Sequence, residues 1–436
     1  MDALERMLGA LARLGEAQAK DLARELGVSQ PTVSRLIEAA GDRVCRMGQA
    51  RATRYARTRA LPGLGTRLPL YRVSEAGKVE PFGALHLLEG GRHWLSVPGG
   101  TGTLFEGLPP FASDMSPQGY VGRTFSAQYP ELELPSRLGD WTDDHRLIAL
   151  ARRGEDCVGN LILGDESLNR WLASTLAPTA RRDYPDLARR SALEQPGSSA
   201  GGEHPKFLTY SEGRHVLIKF VSDDAGAVAR RWRELLICES LALEVVHEAG
   251  LDAARTQWFD ERGFRFLEAE RFDRVGARGR RGVVSLEALD HEYIGDSGRG
   301  ASWTRVTPKL LEKKLIGAED ARRIRWLDVF GQLIGNTDRH FGNVSFLEQE
   351  DGTLRLAPAY DMLPMLFAPS GTTVVARPFE PAPPSADTLD VWADAARHAQ
   401  DFWTRVIDCG ALGEDFRTLA HQSRNVLEAL RERVPL

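Results

Sequence analysis

The chain has 436 residues, with 56 Lys+Arg against 61 Asp+Glu and a formal net charge of -5. Its 42% hydrophobic and 27% charged content is that of a folded globular protein, which excludes a wholly disordered chain, a collagen-like fibre and a chain that is basic throughout. At roughly 100–200 residues per domain, the length predicts two to four domains. Cys45, Cys157, Cys238 and Cys409 form no CxxC pair, so a zinc ribbon or thioredoxin-type site is not expected, and so few cysteines fit a reducing cytoplasm. The start, MDALERMLGALARLGEAQAKD, lacks the basic tip and unbroken apolar core of a signal peptide. No run of about 18 apolar residues predicts a membrane span.

Residues 1–60 carry 11 Lys+Arg and 7 Asp+Glu, a balance of +4 that leaves -9 on the remainder. The excess sits mostly in Arg51, Arg54, Arg57 and Arg59. AQAKDLARELGVSQPTVSRLIEAA predicts two short amphipathic helices joined at Gly27, with Leu22, Ala23, Leu26 and Val28 facing a core that Val33, Leu36 and Ile37 continue. Ser29 is placed to cap the second helix. Gln30, Thr32, Ser34 and Arg35 then point outward near its start, where such side chains reach phosphates and base edges in a major groove. RATRYAR suggests a wing hairpin, with Arg54 available to a phosphate backbone. This segment resembles a winged helix-turn-helix of the bacterial regulator kind; a three-helix module that binds protein is the alternative. LPGLGTRLP then reads as a linker.

Residues 70–165 look β-rich, with LYRV, ALHLL, HWLSV and CVGNLIL between turns bearing Gly, Pro and Asp. Residues 166–195 read as a charged helical connector, followed by a small-residue loop, PGSSAGGEHPKF. FLTY and HVLIKF are strands. Helical spacing over 228–249 ends at Gly250, FRFLEAERF is a strand, and from about 305 the chain is mostly helical.

Four segments carry chemistry. HVLIKF puts Lys219 inside an apolar strand, where burial demands an anionic partner; the following helix offers Glu234 and Glu239, of which Glu239 is preferred. LIGNTDRHFGNVSF sets Asp338 five residues before Asn343, a spacing that lets a carboxylate face a hydroxyl while a carboxamide oxygen reaches a metal. APAYDMLP supplies a second acid, Asp361, able to bridge metal and phosphates. EAERFDR suits the crossing between two lobes, its backbone meeting an adenine. Each signal has a plainer reading: an Asx-rich turn, a turn-initiating Asp, a solvated face or, for the small-residue loop, a flexible linker without the GK[ST] ending of a P-loop.

Taken in order, the Gly/Ser loop, VLIKF, a Glu-bearing helix, ERFDR, GNTDRHFGN and APAYD resemble the HipA-like serine/threonine kinases of bacterial toxin–antitoxin systems over residues 70–436. The added N-terminal module is similar to the YjjJ branch of that family. The resemblance implies Asp338 as catalytic base, Asn343 and Asp361 as metal ligands, Lys219 on phosphates, His340 near the nucleotide, and Glu270 and Phe272 contacting adenine through their backbones. It implies ATP and Mg2+ as cofactors, and autophosphorylation of Ser198, or of Ser199, as an off-switch. It further implies a cytoplasmic protein substrate, in a class that includes aminoacyl-tRNA synthetases and translation factors, DNA as a partner of the head, and an antitoxin partner, with no membrane. The loop departs from the pattern at His204-Pro205, where HipA itself has a Gln-Glu pair followed by Lys.

The expected architecture is α+β: a winged helix-turn-helix over 1–62, a β-rich subdomain over 68–185, a kinase N-lobe over 186–275 and a helical C-lobe over 276–436. Two other functions use the same residues. One is a DNA-binding regulator with a degenerate kinase fold; the other is a metal-dependent nuclease built on Asp338 and Asp361.

Overall fold

The computed structural model describes residues 2–100, 102–193, 204–298 and 300–434. Contacts divide the chain into two compact units, one of Met1–Ser74, Lys78–Pro117 and Tyr129–Thr175, the other of Glu75–Gly77, Gln118–Gln128 and Leu176–Leu436.

The first unit opens with α1 (Ala3–Leu14), β1 (Glu16–Ala17), α2 (Ala19–Leu26), α3 (Gln30–Ala40), β2 (Val44–Met47) and β3 (Arg54–Arg57). Gly27 adopts φ 67°, the left-handed conformation that ends α2 and turns the chain toward the start of α3 at Gln30. The Ser29 hydroxyl accepts the Thr32 N–H and so caps α3. Met7, Leu11, Leu22, Leu26 and Val33 bury the inner faces of all three helices. The strands form a small antiparallel sheet in the order β1-β3-β2, with β2 and β3 as the wing.

The unit continues through β4 (Arg67–Val73), β5 (Val79–Leu87), β6 (His93–Ser96), β7 (Thr103–Phe105), α4 (Pro110–Met115), α5 (Gly119–Gln128), α6 (Asp143–Arg153), β8 (Leu161–Leu163) and α7 (Asp165–Ala173), with α5 belonging to the second unit. Five antiparallel strands lie in the order β7-β6-β5-β4-β8. Alternate leucines (Leu68, Leu70, Leu85, Leu87) pack against Leu147 and Leu150 of α6. Gly83 is required, because a Cβ there would stand 2.3 Å from the Ser96 carbonyl oxygen on the neighbouring strand. The β-rich reading of 70–165 thus holds for the sheet, but three helices interrupt it. LPGLGTRLP is no free linker: Leu61 is buried and bridges to Gly65, and Arg67 already starts β4.

The second unit contains α8 (Tyr184–Leu193), β9 (Lys206–Ser211), β10 (Arg214–Ser222), α9 (Ala227–Glu248), β11 (Thr256–Glu261) and β12 (Phe264–Glu270). The sheet runs β11-β12-β10-β9, antiparallel throughout. Val216, Ile218 and Phe220 point to one face, where they meet Phe266 and Tyr184 of α8. The intervening residues point to the other face, where Val221 and Leu267 pack on Leu236 of α9. That alternation turns Lys219 toward the helix rather than toward solvent. The supposed connector is therefore a packing element: the Tyr184 hydroxyl donates to Glu268 at 2.8 Å inside the sheet.

One short strand pair, β13 (Arg274–Val275) with β14 (Gly279–Arg280), precedes β15 (Val283–Ser285), α10 (Leu286–Tyr293), α11 (Trp303–Glu312), α12 (Ala318–Leu333), β16 (Ser345–Glu348), β17 (Leu354–Leu356), α13 (Leu389–Asp408) and α14 (Glu414–Arg433). The helices share a core of Trp303, Trp326, Phe330, Phe402, Trp403 and Phe416 that also takes in Leu235, Cys238 and Ala242 of α9. So α9 serves both the sheet and the helical part.

Candidate active site

Lys219 lies on β10 with its side chain 7% exposed and donates to both Glu239 carboxylate oxygens at 2.6 and 2.7 Å. It also pairs with Asp361. Of the two helix glutamates, Glu239 is the partner; Glu234 instead accepts from Arg231 at 3.2 Å and from the Gly413 N–H at 3.3 Å. Burial weighs against the charge on all three groups of the cluster. Against that burial, Asp361 and Glu239 hold the Lys219 ammonium above its ordinary range. Lys219 and Lys206 hold Asp361 below the usual carboxylate range, again against burial, whereas burial pushes Glu239 up.

Asp361 sits at φ 51°, a left-handed backbone that Asp tolerates better than most residues. A buried asparagine links it to the catalytic-loop candidates. Asn336, 1% exposed, donates to the Asp361 carbonyl oxygen at 3.4 Å and accepts the Asp338 N–H at 3.0 Å. The Asn343 carboxamide then donates to the Asp338 carbonyl oxygen at 2.8 Å. These bonds fix the backbone on both sides of Asp338 and consume the Asn343 NH2 group, leaving its oxygen as the functional end. Tyr360, next to Asp361, donates to the Gly342 carbonyl oxygen at 2.7 Å. Arg339 braces the same turn through Asp328 at 2.9 Å.

His340 is exposed, and its Nδ1 accepts the Gly342 N–H at 3.1 Å. The Trp303 indole donates to its carbonyl oxygen at 3.0 Å. At the end of β12 the Glu270 N–H is already taken by the Arg255 carbonyl oxygen at 2.9 Å, so a contact from Glu270 to adenine is confined to its carbonyl. The Phe272 ring packs tilted against Tyr360, with ring centres 5.7 Å apart and planes at 35°, which links the segment expected to meet adenine to the segment carrying Asp361. Ser198 and Ser199 lie outside the described residues.

Sequence reasoning missed Asn336 and Lys206, and treated His204 only as a departure from a pattern. Asn336 had a signal in GNTDRHFGN, since an amide beside a glycine at a helix end commonly satisfies backbone groups. Lys206 had none, because its place depends on the register of β9 against β10.

In the head, Gln30, Ser34 and Arg35 are exposed on α3, as Ser29 is. The Ser29 and Thr32 hydroxyls bond each other at 2.9 Å. Arg54 is paired with Glu16, Arg57 with Glu89 at 3.0 Å and Arg59 with Asp144 at 2.7 Å. Glu16 lies within residues 1–60, so among the described residues only the Arg57 and Arg59 pairs offset the excess counted there, and Arg51 stays exposed.

The donor set suits a magnesium nucleotide. Asn343 and Asp361 offer hard oxygen ligands, and magnesium commonly binds one or two such groups and completes its shell with phosphates and water. No group of three or more His, Cys, Asp or Glu forms a metal cage among the described residues. The Lys219, Glu239 and Asp361 charges sum to one negative, which a cation would balance. Among the described residues, no helix is long and apolar enough to cross a membrane.

Residues 64–172 match the family described as "YjjJ-like toxin, middle domain", and residues 198–433 match the "HipA-like C-terminal domain". The chain is 35% identical over 437 residues to Toxin YjjJ of Escherichia coli strain K12, covering 96% of this chain and 97% of that protein. A chain in the Shewanella oneidensis MR-1 complex of the toxin–antitoxin proteins HipA and HipB with operator DNA aligns at a TM-score of 0.52 and 17% identity, covering 84% of this chain and 97% of that one. The Helicobacter pylori proinflammatory kinase CtkA aligns at 0.39 and 14% identity, over 52% and 93%.

Proposed function

Because the chain belongs to the YjjJ-like toxins, with a HipA-like kinase fold in its C-terminal part, we propose that it is a Mg-ATP-dependent serine/threonine protein kinase that phosphorylates a cytoplasmic protein and restrains growth. The observation that carries this reading is the buried Lys219–Glu239 pair joined to Asp361. A lysine buried this way has a structural cost that a phosphate-binding role explains.

Bound Mg-ATP supplies the phosphoryl group and the metal charge that offsets charge developing on it. Lys219, oriented by Glu239, holds the phosphates. Asn343, with its NH2 group engaged by Asp338, turns its oxygen toward metal, and Asp361 provides the second ligand. Asp338, its backbone clamped by Asn336 and Asn343, accepts the proton of the attacking serine or threonine hydroxyl. The Glu270 carbonyl and the Phe272 N–H receive the adenine edge. Catalysis then rests on positioning and charge placement rather than on a covalent intermediate. An off-switch at Ser198 or Ser199 and an antitoxin partner belong to the same reading.

The head adds DNA binding through Gln30, Ser34 and Arg35 at the exposed start of α3, where a recognition helix presents side chains to a groove. A metal-dependent nuclease has no evident use for the Lys219–Glu239 pair, so that alternative loses ground.

Labelled ATP tests the kinase reading. Asp338→Ala and Asp361→Ala are each expected to lower phosphate transfer to a lysate substrate or to the protein itself by at least about a thousandfold, while the fold survives. Undiminished labelling by both variants would sink it.

A further inference from the structure

A cavity of about 510 Å³ opens where the end of β10, the first two turns of α9, the turn between β11 and β12 and the connection from α13 to α14 meet. None of the residues assigned to phosphate transfer lines it. Its volume falls in the roughly 300–1,000 Å³ range of small-molecule sites. Arg230, Arg233, Arg262 and Arg265 line it, with Phe264 and Leu412 as its apolar wall.

Three of these arginines are matched. Arg233 pairs with Asp223, Arg265 with both Asp260 oxygens at 2.7 Å, and Arg262 with Asp186 at 3.4 Å and Glu261 at 3.8 Å. In the first two pairs the arginine is the buried member, 16% and 12% exposed against 69% and 59% for its acid, so cations rather than acids dominate the inner wall. Arg230 is exposed and, among the described residues, has no ion pair. Its surroundings disfavour a lone cation. It is the fourth residue of α9, near the positive end of a 22-residue helix. Arg233 is its neighbour three positions on, where like charges repel. Glu234, four positions on, is the natural counter-charge but is taken by Arg231 at 3.2 Å and by the Gly413 N–H at 3.3 Å. Asp224, just before the helix, accepts the Gly226 N–H at 3.0 Å. An anion held in the cavity relieves these repulsions.

We propose that this cavity binds a small organic acid, with Arg230 receiving a carboxylate in the forked geometry that a guanidinium favours and the carbon skeleton lying against Phe264 and Leu412. The site bears on α9, the helix that carries Glu239. Arg231 ties the same turn of α9 to the Phe367 carbonyl oxygen at 3.1 Å, in the segment that follows Asp361. A ligand joining α9 to the β11–β12 turn and to the α13–α14 connection therefore braces the helix that orients Lys219. Binding stands independently of the kinase reading; only its consequence for phosphate transfer rests on that reading.

Calorimetric titration of the full chain with succinate, its neutral analogue succinamide and inorganic phosphate tests the site. Succinate is expected to bind at least about tenfold more tightly than succinamide, as a charge-assisted bond requires, and saturating Mg-ATP is expected not to displace it. Arg230→Gln should weaken succinate about tenfold, with Arg230→Lys recovering part of the loss. Ala411→Trp, at an exposed position of the wall, should abolish binding by filling the space, and melting curves monitor the fold. Equal affinity for succinate and succinamide, or unchanged succinate affinity in either Arg230→Gln or Ala411→Trp, overturns the proposal. Tighter binding of inorganic phosphate than of succinate overturns the assignment to a carboxylate, and displacement by Mg-ATP would put succinate at Lys219 instead. If the chain binds succinate but not Mg-ATP, the kinase reading falls and this site stands. If it binds Mg-ATP but not succinate, the site falls and the kinase reading stands.

Discussion

Lys219 is the residue on which most of the site's charge turns. Replacing it with Met leaves the Glu239 carboxyl buried and Asp361 without its nearest counter-charge, and breaking a buried pair from one side is far more costly than replacing both partners. Lys219→Met is expected to lower stability by roughly 3 kcal/mol in urea unfolding, and adding Glu239→Gln should return a good part of it. A single variant as stable as the parent would contradict the burial seen here. This residue was legible in the sequence because a lysine between Ile218 and Phe220 in an apolar strand poses an obvious question. So was Glu239, which one helical segment offers at the right distance. Asn336 showed in the sequence only as an amide beside a glycine, and the surroundings of His204 not at all, because both depend on contacts between segments far apart in sequence: Asn336 on Asp361, His204 on Trp232.

Strands and long helices were read well where periodicity had room to show itself. The 22-residue helix α9 and the alternation of β10 were visible in the residues alone. The six-residue α4 and ten-residue α5 were not, since neither spans enough turns for a 3.6-residue period to stand out. The strand β6 has a consequence for pH. His93 is fully buried there and its Nδ1–H donates to the Gly107 carbonyl oxygen at 2.6 Å. Burial, with Arg59 adding to it, depresses the imidazole below its ordinary value, against the Gly107 carbonyl and the acids Asp143 and Asp144. His86 on β5 is depressed too, by burial and Arg67. As pH falls below about 6.5, the unfolded chain takes up protons that the folded sheet refuses, so the stability these groups contribute is present above that value and is lost toward the folded value. Urea unfolding of the first unit is expected to shift to lower midpoint between pH 7 and pH 5, and His93→Gln should flatten the dependence. A midpoint insensitive to pH in the parent chain would contradict it.

At the scale of the molecule, the net charge of -5 proved a poor guide to where positive charge is available. Half of the +4 of the first 60 residues is offset by ion pairs that Arg57 and Arg59 make to Glu89 and Asp144, beyond the head itself. Exposed positive charge remains at Arg35 on α3 and at Arg46 and Arg51 near the wing. The head and the five-stranded sheet also share an apolar cluster of Cys45, Met47, Ala56 and Leu88, and Thr58 bridges to Leu88. Leu88→Ala is expected to cost about 2–4 kcal/mol and to weaken retardation of duplex DNA, although Leu88 touches no proposed DNA contact. Arg35→Ala should weaken retardation without altering stability. Equal retardation by the Leu88 variant and its parent would show that the cluster does not hold the head in place.

That cluster also has a mechanical meaning. A reading head hung on a flexible tether can pivot while the rest of the chain stays still. One riveted to a sheet by a hydrophobic plug and the Arg57–Glu89 pair, with Arg59 tied to α6 through Asp144, transmits torque instead, so a push on the wing is met as strain in β5 and β6. Displacement of the wing and distortion of that sheet become two views of one movement.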